Sequence, residues 1–465
     1  MLIFSTDGNN TKLDFVPDFY ELRLDLRKDC FSIPDFFLNK KAIITIRDRA
    51  EGGKYIGNID TKITFLQKIL DETNLFIDIE LANKDLLLNN ISPHQKKRVI
   101  ISVHDFSPKL KLSANYLLNK SCFFYKFVIN NNSISEFFEV YHYLNSLNID
   151  YTLISIGYTS LLSRILYQHL GFKATYFGKK GHQTALNQMT ERDVIRYDLI
   201  NISPKTAIGG IIGSEQILNS LGLSFYNKYF QDNNINAVYL PIVIEKARGD
   251  DLKLLVELVK SSSFFCFGFS ITMPFKKEIG KWEVNTSPTS AHSLQGGQDI
   301  NRSYNLWIPN DNKSYLTDED AFIEAFKKLH ITKETKILLL GIGAMAKTVL
   351  KLLPENTIYI ITRHSLTAFV EWVGEGIFCL INTTPLGTNG EDIREIYPNL
   401  KFHKVIDLPY STEKTKLALY CQENNIPIVD GKQFWKLQAK KQLELFITSC
   451  HSKQSEESLG NFTNN

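Results

Sequence analysis

The residues best able to do chemistry in the first half of this chain are one lysine, one histidine and a set of arginines and carboxylates. Lys126 stands in the run Phe123-Phe124-Tyr125-Lys126-Phe127-Val128-Ile129. A run this apolar excludes an unpaired ammonium, which loses its hydration there. The amine is therefore paired, used as a neutral nucleophile, or buried along its stem with the head reaching water. His104 closes the run Ser102-Val103-His104, and an imidazole titrates where a general acid and base must. In Glu21-Leu22-Arg23-Leu24-Asp25 the period of two places three charges on one face of a strand. Arg47, Glu51-Gly52-Gly53 and Asp78-Ile79-Glu80 extend the set.

These groups need a frame that turns strand ends toward one point. Strand-like runs at 18–25, 42–47, 75–81, 98–104, 121–129, 151–156, 173–177 and 198–202 alternate with helix-length segments such as 59–71, 133–147 and 158–170. Eight βα units predict an α/β fold beginning with a (β/α)8 TIM barrel over 1–203, whose catalytic side chains project from the C-terminal strand ends. Ser203-Pro204-Lys205 reads as a short junction. A mixed α/β block follows to about 320. Lys336-Ile337-Leu338-Leu339-Leu340-Gly341-Ile342-Gly343-Ala344 then reads as strand, glycine turn and helix, the context in which backbone approaches a dinucleotide pyrophosphate. A Rossmann-like domain is expected over 321–429. The next strand ends in Thr362-Arg363 with no acid, which favours a 2′-phosphate and hence NADP(H).

Composition limits the partners. The 465 residues carry a net charge of +3, with 43% hydrophobic and 22% charged residues. Near balance argues against nucleic acid and anionic membrane as partners and leaves small anionic substrates open. The six cysteines lack ligand spacing, so neither disulfides nor a metal is expected, and a reducing, cytoplasmic setting is. No signal peptide or membrane span is expected. The stretch 451–465 reads as a mobile tail.

The first half resembles the type I 3-dehydroquinate dehydratase family in its ExRxD strand (Glu21, Arg23, Asp25), T-x-R...EGG segment (Arg47, Glu51), DxEL strand (Glu80), SxHDF (His104), strand lysine (Lys126) and S-x-G...SR segment (Ser155, Gly157, Ser163, Arg164). The resemblance implies a Schiff base at Lys126, acid–base work by His104, an orienting role for Glu80, and substrate contacts from Glu21, Arg23, Arg47 and Arg164. The family's SAPGQ lid reads here Thr184-Ala185-Leu186-Asn187-Gln188, so Thr184 and Gln188 keep polar groups while Leu-Asn replaces Pro-Gly.

Residues 207–450 resemble shikimate dehydrogenase: Thr272-Met273-Pro274-Phe275-Lys276, Thr317-Asp318, the nucleotide turn, Asn382-Thr383-Thr384-Pro385-Leu386-Gly387, Asp407-Leu408-Pro409-Tyr410 and Leu437-Gln438-Ala439. The resemblance implies a substrate domain over 204–320, with 430–450 returning to it. Lys276 and Asp318 would act on the ketone. Ser220, Thr272, Asn301 or Asn305, Tyr410 and Gln438 would line the pocket, and Gly341, Gly343, Ala344, Thr362, Arg363, Asn382 and Thr383 would hold NADP(H). Departures are Ser220-Leu221-Gly222 for SxSP, Tyr226-Asn227 for His-Asn and Leu316 for an asparagine. The expectation is a bifunctional shikimate-pathway enzyme acting on 3-dehydroquinate and then 3-dehydroshikimate, with a homodimer compatible. Its rival is an active dehydratase fused to a metabolite-sensing or quinate-specific half.

Overall fold

The computed structural model describes residues 1–9, 11–106, 121–245, 249–279, 304–362, 378–397, 401–410 and 413–460. The chain divides into two compact units, Met1–Phe275 and Lys276–Asn465. The first unit thus runs past the junction expected at 203–205.

Eight parallel strands form a ring: β1 (Leu2–Thr6), β2 (Phe19–Arg23), β3 (Ala42–Thr45), β4 (Phe76–Glu80), β5 (Val99–Asp105), β6 (Phe124–Ile129), β7 (Tyr151–Ser155) and β8 (Thr175–Gly178). Hydrogen-bonded order is β7-β6-β5-β4-β3-β2-β1-β8, with the short β9 (Met189–Thr190) added beside β8. Bonds from Lys173 N to Tyr151 O (3.0 Å) and Ala174 N to Thr152 Oγ1 (2.8 Å) close β7 onto the start of β8. The barrel is as expected in strand number but not in membership. The first strand is the terminal run Leu2–Thr6, which the sequence reading passed over. The strand expected at 198–202 is a set of turns, with Asp198 at φ 48 and Leu199 N bonded back to Val194 O after the helix Glu191–Arg196.

Alternation along each strand sorts the interior into layers. Ile3, Phe19, Ile43, Ile100 and Phe124 pack with Ile154 and Tyr176 into one buried apolar cluster. Two residues further along the same strands stand Ser5, Glu21, Thr45, Ser102 and Lys126, all buried. The apolar cluster excludes water from below, so charges above it interact in a low dielectric.

The rest of the first unit is a parallel sheet in which β10 (Ala207–Gly213) pairs with β11 (Ala237–Val243) and β12 (Cys266–Ile271). It is bonded to the barrel. Buried Asp251 accepts from Ile134 N (3.3 Å) and Ser135 N (3.2 Å) at the start of the barrel helix Ile134–Ser146, and His169 Nε2 meets Thr206 O at 2.8 Å.

The second unit contains a hairpin, β13 (Leu306–Ile308) and β14 (Lys313–Tyr315), and a five-stranded parallel sheet. Its strands are β15 (Lys336–Leu340), β16 (Ile358–Ile361), β17 (Phe378–Asn382), β18 (Lys404–Asp407) and β19 (Ile428–Asp430), in the order β16-β15-β17-β18-β19. The order reverses at β15, which opens a crevice beyond its C-terminal end. The helix Gly431–Gly460 continues through residues expected to form a loose tail. Lys, Gln, Glu and Leu extend an existing helix without a new nucleus. Residues 461–465 lie outside the described residues.

Candidate active sites

A cavity of about 440 Å³ opens at the C-terminal ends of the barrel strands, and Lys126, His104, Arg164 and Glu21 line it together. Lys126 is 4% exposed. Its Nζ lies 2.6 Å from Asp78 Oδ2 and 3.0 Å from Glu21 Oε1, over the Tyr176 ring at 4.8 Å. Of the three states open to a lysine in that run, pairing is the one observed. Asp78, which the sequence reading left without a role, also takes Arg47 Nη2 at 2.6 Å and Ser102 Oγ at 2.5 Å. Burial opposes its charge, but Arg47 and Lys126 hold its carboxyl well below the usual range.

His104 Nδ1 lies 3.0 Å from Glu51 Oε2. Burial, with the Arg47 and Lys126 charges, pushes the imidazole well below its ordinary value, so it is neutral at pH 7. Burial also pushes Glu51 up to about 7 against the pull of Arg47. Glu80 was expected to orient this ring and does not. Its carboxylate takes Lys62 Nζ (2.6 Å), Asp48 N (2.9 Å) and Arg47 Nη1 (3.3 Å). Lys62, fully buried on the helix Ile59–Glu72, had gone unnoticed, although its place beside Ile59, Ile63 and Leu66 was the available signal. Glu51 was singled out only as part of its glycine motif.

The arginines differ in freedom. Arg23 is clamped to Asp25 by two bonds of 2.9 Å, and Arg47 is enclosed by carboxylates. Arg164 donates to Ser155 O (2.6 Å), Ser160 O (3.0 Å) and Ser160 Oγ (2.7 Å), and among the described residues no carboxylate pairs with it. Burial lowers it to about 10, and it remains a cation at neutral pH. It is the natural anchor for an anion.

Thr184, Ala185, Leu186 and Gln188 cover the cavity. Asn187 sits at φ 50, where asparagine is tolerated better than most residues. Its Nδ2 donates to Ile156 O at 2.7 Å, and Ser160 Oγ donates to its carbonyl at 3.0 Å. The Leu-Asn replacement thus preserves a closed loop.

In the second unit Lys276 Nζ lies 2.9 Å from Asp318 Oδ2, both mostly buried. Asn305 is buried, with Oδ1 accepting from Thr317 N (2.9 Å), while Gln442 Nε2 reaches Asn305 O (3.3 Å) and Thr317 Oγ1 (3.1 Å). Gln438 is half-buried one turn earlier, and Tyr410 is 45% exposed. Asn301 and Arg363 lie outside the described residues, and Thr362 directly follows β16. Gly341 has φ 103, and a Cβ there would meet Thr383 Oγ1 at 2.8 Å. Among the described residues nothing lies within 4 Å of a Cβ built on Gly343, and no side chain caps the helix Ala344–Leu352 behind it. Its first N–H groups remain available for phosphate oxygens. Asn382 departs from its expected contact. Its fully buried side chain is spent on Asp407 Oδ1, Leu386 O and Thr384, so it shapes the loop that leaves backbone for a ligand.

Of the remaining expected residues, Ser220 and Thr272 belong to the first unit. Ser220 Oγ accepts from Gly222 N at 3.2 Å, capping the helix Leu221–Asp232, and Thr272 N bonds Ile212 O. Asn227 is structural, exchanging bonds with the Tyr239 backbone.

Residues 9–197 match the family described as Type I 3-dehydroquinase. A 3-dehydroquinate dehydratase of Dehalococcoides mccartyi is 30% identical, over 40% of this chain and 88% of the relative. The chloroplastic bifunctional 3-dehydroquinate dehydratase/shikimate dehydrogenase of Arabidopsis thaliana is 23% identical over 92% of this chain and 77% of its own. A shikimate dehydrogenase (NADP(+)) of Pyrococcus furiosus is 28% identical over 51% of this chain and 88% of its own. The barrel carrying Lys126 and His104 therefore belongs to the type I 3-dehydroquinase family, and in this chain it is fused to a half similar to shikimate dehydrogenases.

Proposed function

We propose that the barrel dehydrates 3-dehydroquinate through a Schiff base at Lys126, and that the second half reduces the resulting 3-dehydroshikimate to shikimate. One observation carries the first step: an amine, a neutral imidazole and a guanidinium that no carboxylate pairs with among the described residues line one cavity. Arg164 anchors the substrate carboxylate. Lys126 adds to the ketone and loses water to give an imine, which acidifies the neighbouring carbon. His104 takes that proton at its free ring nitrogen and returns it to the departing hydroxyl, held in place by Glu51 at Nδ1.

For the reduction, the fit of the glycine turn rests on the open space at Gly343 and the uncapped helix behind it. NADPH, when bound, supplies the hydride. Lys276, held by Asp318, polarises the substrate ketone and gives its oxygen a proton. Asn305, Tyr410 and Gln438 are the proposed ring contacts, and Thr362 and Arg363 the proposed 2′-phosphate contacts. All six cysteines are free thiols, which supports a reducing compartment such as the cytoplasm. Among the described residues no helix is long and apolar enough to cross a membrane.

The test is a coupled assay of the full chain from 3-dehydroquinate to shikimate. Lys126→Ala should abolish the first step and spare shikimate oxidation, and Lys276→Ala should do the reverse. Retention of the first step by Lys126→Ala would overturn the Schiff-base reading.

A further inference from the structure

Lys126 is held between two carboxylates, yet addition to a ketone requires an amine with a free electron pair. One proton must leave Nζ while the lid is closed. Asp78 leads nowhere, since its other oxygen is taken by Arg47 and Ser102. Glu21 is also held in its charged form, by Lys126, Arg23 and Ser5, but its second oxygen leads outward. Its Oε1 faces Lys126 at 3.0 Å, and its Oε2 accepts from Ser5 Oγ at 2.5 Å. Ser5 is 1% exposed, on the strand β1. Its oxygen lies 2.6 Å from Thr184 Oγ1 in the lid. A serine has one proton, and with that proton given to Glu21 it must accept from Thr184. The four groups therefore form an unbroken line from the buried amine to a half-buried hydroxyl at the rim.

We propose that Ser5 is a proton-relay residue of the dehydratase, carrying the proton of Lys126 from Glu21 to Thr184 and on to water at the lid. This rests on the Schiff-base reading above. The N–H bond of Lys126 breaks as an O–H bond forms on Glu21 Oε1. The carboxyl turns about its Cγ–Cδ bond to present that proton to Ser5. Ser5 receives it as its own proton passes to Thr184, whose proton goes to water. One proton leaves the amine, one reaches solvent, and no electrons move. The reversed line ends with Thr184 able to donate to Gln188 Oε1, 3.3 Å from its hydroxyl, so the lid holds an acceptor for the second state as well. The amide oxygen of Gln188 is fixed there by Thr184 N at 2.9 Å.

Ser5 acts through Glu21, so its role is read from the rate and pH dependence of imine formation. The full chain is mixed with 3-dehydroquinate, quenched at intervals with borohydride, and the Lys126 adduct quantified by mass spectrometry. Ser5→Ala should slow adduct formation about tenfold or more at neutral pH. The deficit should shrink as pH rises and hydroxide takes the proton without a relay. Ser5→Thr should restore the rate, and Thr184→Val should reproduce the loss in a lid position where folding is not at stake. A Ser5→Ala rate equal to wild type, as when His104 takes the proton directly, overturns the relay. A deficit independent of pH and unrelieved by Ser5→Thr does so too. Absence of any adduct in wild type rejects the Schiff-base reading itself.

Discussion

Glu51 Oε2 accepts from the backbone N–H of His104 at 3.1 Å while lying 3.0 Å from Nδ1 of the same residue. One oxygen thus fixes both the strand end and one ring nitrogen, which leaves Nε2 for proton transfer. Glu51→Ala should lower dehydratase kcat on the order of tenfold to a hundredfold with little change in adduct yield at Lys126, because the ring loses its orientation while the amine does not. Glu80→Gln should act on folding instead. It strips a charge from the pair with buried Lys62, and breaking such a pair costs about 3–5 kcal/mol. Steady-state kinetics beside urea melts separate the two, and a larger kcat loss in Glu80→Gln than in Glu51→Ala would reverse the assignment.

The same pair sets opposing pH dependences. His104 binds its proton less readily folded than unfolded, so its contribution to stability is present above its ordinary value near 6.5 and is lost as pH falls. Glu51 is the opposite: its folded value is raised from 4.5 to about 7, so its contribution is full below 4.5 and lost as pH rises through about 7. Glu51→Gln, neutral at every pH, should therefore be more stable than wild type at pH 8, on the order of 1–3 kcal/mol, with most of the advantage gone by pH 5. Urea midpoints at the two values decide it. The acid limb of kcat/KM should also lie below 6.5, since His104 stays a base there.

Much of the barrel site was legible because strand alternation and polar types at strand ends survive in a single sequence. Lys126, His104 and Arg164 line one cavity. What was not legible is which carboxylate meets which cation. Glu80 closes β4 and Glu51 lies in the turn after β3, and only the turn through Gly52 and Gly53, where a Cβ on Gly53 would strike Arg47 O, brings Glu51 to the ring. Ser5 was hidden for another reason: Leu2-Ile3-Phe4 is a continuous apolar run that shows no alternation, yet the strand stands between β2 and β8 in the ring. In the second half the glycine turn announced itself, whereas Asn305 depended on a hairpin that no local pattern marked.

The lid offers a test of backbone against side chain. Asn187 at φ 50 contributes both a tolerated left-handed conformation and the bond to Ile156 O. Asn187→Gly keeps the conformation and loses the bond. Asn187→Val loses both, with about 1–2 kcal/mol of backbone strain added. KM for 3-dehydroquinate should rise severalfold in the first and further, by about tenfold more, in the second. Equal effects would show that the conformation contributes nothing to closure.

Lys276 and Asp318 divide differently between binding and chemistry. Lys276→Ala removes the proton donor and should cut kcat for shikimate oxidation on the order of a hundredfold or more. Asp318→Asn keeps a polar contact 2.9 Å from Nζ but not the charge, so it should raise KM and lower kcat by smaller factors. Absorbance of NADPH measures both, and dehydratase activity in the same preparations should be untouched.

Asp251 tests how far the barrel depends on the sheet behind it. Its carboxylate satisfies two N–H groups, Ile134 and Ser135, at the start of the helix that follows the Lys126 strand, and it is 4% exposed. The N-cap Ser133 already serves Glu136 N, so no local side chain replaces it. Asp251→Ala leaves the buried Ile134 N–H unpaired, at about 1–3 kcal/mol, and turns the more exposed Ser135 N–H to water, while Asp251→Asn keeps an acceptor for one of them. Heat inactivation of the dehydratase should therefore shift to lower temperature in the order wild type, Asn, Ala, although the substitution lies outside the barrel sequence. An unchanged midpoint in Asp251→Ala would mean that the barrel helix holds its first turn without this contact.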